Sequence, residues 1–234
     1  MLCLCLERLS KAPSTKPFDV NIYVDTTTPE RLDEIEFVRD NYFPSAAIFH
    51  AKPHVQAPSG CWNILHALKD GYESGAEWVH LVEEDVLIFP EYFNWCYSQE
   101  GDFFATQGRL TKYGRIYGNS GAAFPRRSLA AIVPHINESF FADRHVYFQQ
   151  HWRRQAATGM LDDGLIHQVQ IDSGLELRYP DKPKVAHIGW HYYDRLEMYK
   201  NRGVTIQERI AELRKMLPKV KLGDRYAKDF EAYG

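Results

Sequence analysis

Three acids stand in a row at Glu83-Glu84-Asp85, directly after the apolar run Trp78-Val79-His80-Leu81-Val82. Like charges so close together repel, which is costly unless something cationic is bound. A hard divalent ion that takes its other ligands from phosphate oxygens would relieve that cost. Taken alone, such a row is equally a solvated acidic turn. Further acids follow the same logic of position. Asp25 closes the alternating run Phe18–Val24, and Asp162-Asp163 opens a new segment after Leu161. A strand-terminal Asp is also a common helix cap, and a pair of acids at a helix start suits the helix dipole. His187, ahead of Ile188-Gly189, is a ligand candidate or an ordinary core or loop histidine. Asn63 falls on a helical stretch and is either a site residue or a solvent-facing one.

The elements that must position these groups are readable from periodicity. Leu2, Leu6 and Leu9 have near-helical spacing, and Pro13 ends that helix. Phe18 to Val24 alternates as a strand does. Thr28 then suits an N-cap, with Pro29 at the first helical position and a helix to about Asn41. Ala46–His50 is a short strand. Residues 59–74 place Trp62, Leu65, Leu68 and Tyr72 on one side of a helix. Trp78–Val82 is a buried strand, Val86–Phe89 stays extended, and Pro90 opens a helix to about Ser98. Phe103–Gln107 is a further strand. Such alternation of strand and helix indicates an α/β fold with a mixed, mainly parallel sheet. Chemistry in such sheets sits at the carboxyl ends of the strands, where Asp25 and Glu83-Glu84-Asp85 stand.

The second half is richer in loops. Gly114, Gly118 and Gly121 punctuate it; Ser128–Val133 and Phe140–Gln155 read as helices, and Leu175–Tyr179 and Val185–Gly189 as short extended segments. A charged helix is expected from Thr205 to about Met216. The chain therefore divides into one domain over 1–200 and a charged helix and tail over 201–234. The tail carries Arg209, Arg214, Lys215, Lys219, Lys221, Arg225 and Lys228. Interleaved acids make it an ordinary charged helix, unless it tracks the phosphates of a nucleic acid.

Composition bounds the class. The chain has 234 residues, 44% hydrophobic and 25% charged, which excludes disordered and collagen-like types. A net charge of −3 and a pI near 6.4 argue against a globally basic nucleic-acid binder. Cys3, Cys5, Cys61 and Cys96 form no pairs at zinc-site spacing and read as reduced, buried thiols. No apolar run approaches the roughly 20 residues of a membrane helix, and the start is too short in apolar residues for a signal peptide. The expected setting is cytoplasmic.

The stretch Leu81 to Phe93, with Glu83-Glu84-Asp85 followed by apolar residues and Pro90-Glu91-Tyr92-Phe93, resembles the DXD-like metal motif of GT-A glycosyltransferases. It is most similar to the N-acetylglucosaminyltransferase I type, where an acidic triplet precedes Pro-Asp-Phe-Phe. The resemblance extends to Phe18–Asp25, to Asn63 in its Cys61–Leu68 context, to Gly118–Arg126, to Leu161–Gly164 and to His187–Gly189. It spans roughly residues 2–194 and is strongest over 83–93. The family places Trp beside its catalytic acids, where this chain has Leu161 and Gly164. The family's first strand has no counterpart ahead of the opening helix, so that strand is expected to be missing or shortened.

The resemblance implies a three-layer, Rossmann-like nucleotide-sugar transferase fold and a metal-dependent glycosyltransferase. A UDP-sugar would be the donor and Mn2+ or Mg2+ the cofactor. Asp85 would bind the metal, with His187 as a further ligand for metal or phosphate. Glu83 and Glu84 would lie at the donor, with Glu84 meeting the ribose or the metal through water. Asp25 would accept from a base N–H, and Asn63 would lie near the nucleotide. Asp163 or Asp162 would deprotonate the acceptor hydroxyl of an inverting reaction. The acceptor is open between a glycan and a hydroxylated DNA base, among others. Two other readings stay beside this one: a non-catalytic nucleotide-sugar-binding module of the same fold, and a Mg2+-dependent nucleotidyltransferase.

Overall fold

The computed structural model describes residues 2–25, 29–51, 59–109, 117–118, 120–153 and 162–187. The proposed cap Thr28, the residues Leu161 and Ile188-Gly189, and the charged helix and tail of 201–234 lie outside the described residues.

The chain begins with α1 (Leu2–Lys11), which buries Cys3, Leu4, Cys5, Leu6, Glu7 and Leu9. Then follow β1 (Asn21–Val24), α2 (Pro29–Tyr42), β2 (Ala47–His50), α3 (Ser59–Glu73), β3 (Trp78–Leu81), β4 (Val86–Ile88), α4 (Tyr92–Tyr97) and β5 (Ala105–Gln107). These agree with the periodicity to within a few residues at their ends. The second half holds β6 (Ala122–Pro125), α5 (Arg126–Ile132), a 3-10 turn at Val133–His135, α6 (Glu138–Ala142), α7 (Arg144–Trp152), α8 (Asp162–Ser173), β7 (Leu177–Arg178) and β8 (Val185–His187).

One expected helix is two. The Phe140–Gln155 reading breaks at Asp143, whose extended backbone ends α6. Its carboxylate accepts from the His145 and Val146 N–H groups and caps α7. Asn137 caps α6 in the same way, accepting from Phe140 N–H at 3.1 Å. Each such cap contributes about 1 kcal/mol, enough to prefer two capped helices to one continuous helix with Asp143 inside it.

The fold is mixed α/β. β1 and β2 pair in parallel. The four-stranded sheet has the order β3-β6-β5-β7. Its β3, β5 and β7 run the same way, and β6 runs against them. β4 and β8 form an antiparallel pair. In β6, Ala122 and Phe124 enter one core with α3, α5 and α8, while Ala123 enters the other with α1, β4 and α4. A strand covered on both faces must be apolar throughout, and Ala122-Ala123-Phe124 is fully buried. No helix among the described residues is long and apolar enough to cross a membrane. All four cysteines are free thiols and buried.

Candidate functional site

The acidic row forms the turn between β3 and β4, closed by Val86 N–H donating to Glu83 O at 3.0 Å. Its three side chains have different surroundings. Glu84 is exposed, Glu83 is half-buried, and Asp85 is buried at 5% exposure. Burial, and then the neighbouring Asp85, pushes the Glu83 carboxyl up to about 7. Burial followed by Glu84 pushes Asp85 up to about 6, against the pull of the Arg109 cation. Behind the turn stands α1, whose Cys5 thiol donates to Glu83 O at 3.6 Å.

Two more segments converge on this turn. The β3–β6 register sets Leu81 opposite Ala122, so the residues just before β6 lie beside those just after β3. There Ser120 donates its hydroxyl to Glu83 Oε2 at 3.2 Å. Opposite lies the start of α8 with Asp162 and Asp163. The Asp163 charge raises Glu83 further, which places this helix start within electrostatic reach of the turn. Tyr117 is buried among them, and its phenol feels Asp163, Asp162 and Glu83 in addition to its burial. The end of β3, Tyr117, Ser120 and the start of α8 are therefore near neighbours.

The two aspartates of α8 have different environments. Asp162 is buried at 6% exposure and hydrogen-bonds to Cys61 in the first turn of α3. Asp163 is exposed as a residue, yet partial burial of its carboxyl and then the Asp162 charge raise that group to about 7. Both stand in the first turn, where the helix dipole offsets part of their repulsion.

The remaining sequence-proposed residues are placed as follows. Asn63 is buried on α3, not solvent-facing, and its Oδ1 is sealed without a hydrogen-bond partner. Asp25 is exposed just past the carboxyl end of β1. His187 ends β8, with its Cα opposite that of Val86, so its backbone runs beside the residue following Asp85. Its side chain lies outside the description. Among the described residues, no three of His, Cys, Asp and Glu come together as a metal-ligand set.

Sequence reasoning missed Ser120, Tyr117, Arg109 and Gln107. Gln107 ends β5 at 1% exposure, with its Nε2 unpartnered, opposite Ala122 in the β5–β6 ladder. A polar Thr106-Gln107 pair closing the apolar run Phe103-Phe104-Ala105 was the one signal available for it. Ser120 lies in the glycine-rich segment already marked, but nothing in the sequence joins it to Glu83.

No family model matches the chain, and no curated protein matches it. Among solved structures it has a weak likeness to the nucleoside-diphosphate-sugar pyrophosphorylase from Vibrio cholerae RC9. The two share 12% identity at a TM-score of 0.42, over 80% of this chain and 82% of that one.

Proposed function

We propose that the chain is a glycosyltransferase that binds a nucleoside-diphosphate sugar at the Glu83–Asp85 turn and transfers the sugar to an acceptor hydroxyl. The observation that carries this reading is the convergence of the Asp163 carboxyl, at the start of α8, on the acidic end of β3. One group of acids suits a cation, and a separate acid with a raised pKa suits a base.

Among the described residues the turn does not form a ready-made ligand set, but its acids would suit a hard cation that arrives with phosphate oxygens as most of its ligands. Glu83, Glu84 and Asp85 offer only oxygen, and their mutual repulsion falls when positive charge is placed among them. Asp85 would hold Mn2+ or Mg2+, with His187 as the second protein ligand. The bound cation supplies Lewis-acid stabilisation of the departing diphosphate. Glu84, the exposed acid of the turn, faces the ribose. Asp25 accepts from a base N–H, and Asn63 would lie behind the nucleotide rather than touch it, since its Oδ1 is sealed.

Asp163 rather than Asp162 serves as base, because it alone of the two is open to an incoming hydroxyl. The acceptor proton moves to Asp163 as the acceptor oxygen bonds to the anomeric carbon and the bond from that carbon to the phosphate oxygen breaks. A carboxyl near 7 is well matched to this exchange at neutral pH. Asp162, buried against Cys61, holds the helix start in place. Glycans and hydroxylated DNA bases both supply a suitable hydroxyl.

The test is nucleoside-diphosphate release from a panel of UDP- and GDP-sugars with Mn2+, beside Asp85→Ala. Release from one donor that Asp85→Ala abolishes supports the proposal. Donor binding without release points to a binding module. Pyrophosphate formed from a nucleoside triphosphate and a sugar phosphate would replace the proposal with nucleotidyl transfer.

A further inference from the structure

Behind the acidic turn, four elements are tied in one knot. Tyr92, fully buried at the start of α4, donates its hydroxyl to Gly121 O at 3.3 Å. The Gly108 N–H donates to the same oxygen at 2.9 Å, and Lys184 N–H donates to Gly108 O at 2.7 Å. Gly121 has φ +70°, and a Cβ there would stand 2.6 Å from Val185 Cγ1. A Cβ on Gly108 would stand 2.7 Å from the same methyl group. The β8 side chain is thus wedged against both glycines, and only residues without a Cβ admit it. The knot has two outlets toward the site. Ser120, next to Gly121, donates to Glu83. Val185 lies two residues before His187 in the strand paired with β4.

The hydrogen positions follow from donor counting. The Gly121 carbonyl can only accept, and the Tyr92 phenol donates to it while also standing within hydrogen-bond reach of the Cys96 thiol. His80 Nδ1 lies 3.3 Å from the phenol oxygen. With the phenol proton on Gly121 O, the Nδ1–H tautomer of His80 donates to the phenol oxygen. Burial pushes His80 down to about 3, so the ring is neutral and the assignment is consistent. A phenylalanine would fill the same core space, and the Pro-Asp-Phe-Phe motif that this stretch resembles has one there. The oxygen is the added feature.

We propose that the Tyr92 hydroxyl is a positioning group for the donor site: it fixes the Gly121 corner, and so holds Ser120 on Glu83 and β8 alongside β4. This inference rests on reading the acidic turn as the donor site. Tyr92 touches no substrate and acts only through the corner. The effect of losing its oxygen is therefore local to the Gly108–Gly121–Lys184 ladder and to turnover.

The test uses the full chain and Tyr92→Phe, which removes one oxygen and leaves the ring. Residue-resolved amide exchange is read at Gly108 and Lys184, with the Ala51 amide, bonded to Val24 O, as the internal control. We expect about tenfold faster exchange at Gly108 and Lys184, with Ala51 unchanged. For nucleoside-diphosphate release we expect kcat/KM for the donor to fall about tenfold. Unchanged exchange at the corner overturns the inference, as does acceleration spread equally to Ala51, which marks a general loss of stability. Faster exchange at the corner with an unchanged kcat/KM overturns it too. If the unmodified chain releases no nucleoside diphosphate, the functional reading fails, and exchange at the corner still decides whether Tyr92 fixes it.

Discussion

His187 stands opposite Val86 in the β4–β8 ladder, so two residues far apart in sequence are neighbours one step beyond Asp85. The same ladder delivers Val185 to the two glycines behind the turn. The late strand thus lies both beside and behind the acidic turn.

At Asp85 the proposed function and stability oppose each other. Its carboxylate is buried and faces Glu84, and both disfavour its charge. Asp85→Asn removes that charge in nearly the same shape. At pH 7.5 the variant should be more stable by about 2 kcal/mol and should lose Mn2+-dependent UDP binding. Thermal melting and titration calorimetry check the two halves. A less stable variant would show that the turn needs the charge for its own folding.

Asp163 and Asp162 should part company on mutation. Asp163→Asn leaves UDP binding within about twofold and lowers transfer at least about a hundredfold. In the unmodified chain, kcat should rise with pH through about 7, as the Asp163 carboxyl ionises and becomes a base. Asp162→Asn disturbs the contact with Cys61 and should lower the melting temperature instead. Equal kinetic losses from both variants would argue against Asp163 as the base.

Acid should destabilise the chain through His80. Its folded pKa is about 3, against about 6.5 for the free side chain. Between these values the unfolded chain binds a proton that the folded chain refuses. Stability is therefore lost as pH falls from about 6.5 toward 3, by up to about 1.4 kcal/mol per pH unit. His80→Phe removes this proton and should flatten the acid limb of a melting-temperature profile. An unchanged slope would place the acid sensitivity elsewhere.

The Gly121 corner predicts a coupled pair. Gly121→Ala meets Val185 Cγ1 at 2.6 Å and puts a side chain on a φ of +70°. The backbone part alone costs about 1–2 kcal/mol, and the clash adds to it. Val185→Ala removes the methyl group in question. The double variant should recover the clash and keep the backbone cost, which denaturant unfolding of the four proteins measures. Additive losses would mean that the two residues do not touch in solution.

Much of this architecture is legible in the sequence because local rules decide it. The alternation before Asp25, the proline at the start of α2 and the apolar run ahead of Glu83 each fix an element without reference to the rest. The split of α6 from α7 was missed because Asp143 reads as a helix surface residue until its carboxylate is seen capping. The site was half legible. A row of acids announces itself, but Ser120 on Glu83 depends on the β3–β6 register, which is set by long-range pairing. The ranking of Asp162 against Asp163 likewise needed Cys61, supplied by a helix a hundred residues earlier.

The Cys5 thiol, bonded to the carbonyl of Glu83, makes the opening helix a physical part of the acidic turn. Burial holds that thiol up near 12, so it stays unreactive while α1 is seated. Its alkylation rate is then a built-in clock for how often the helix lifts away. Any substitution that unseats α1 therefore acts directly on the back of the acidic turn.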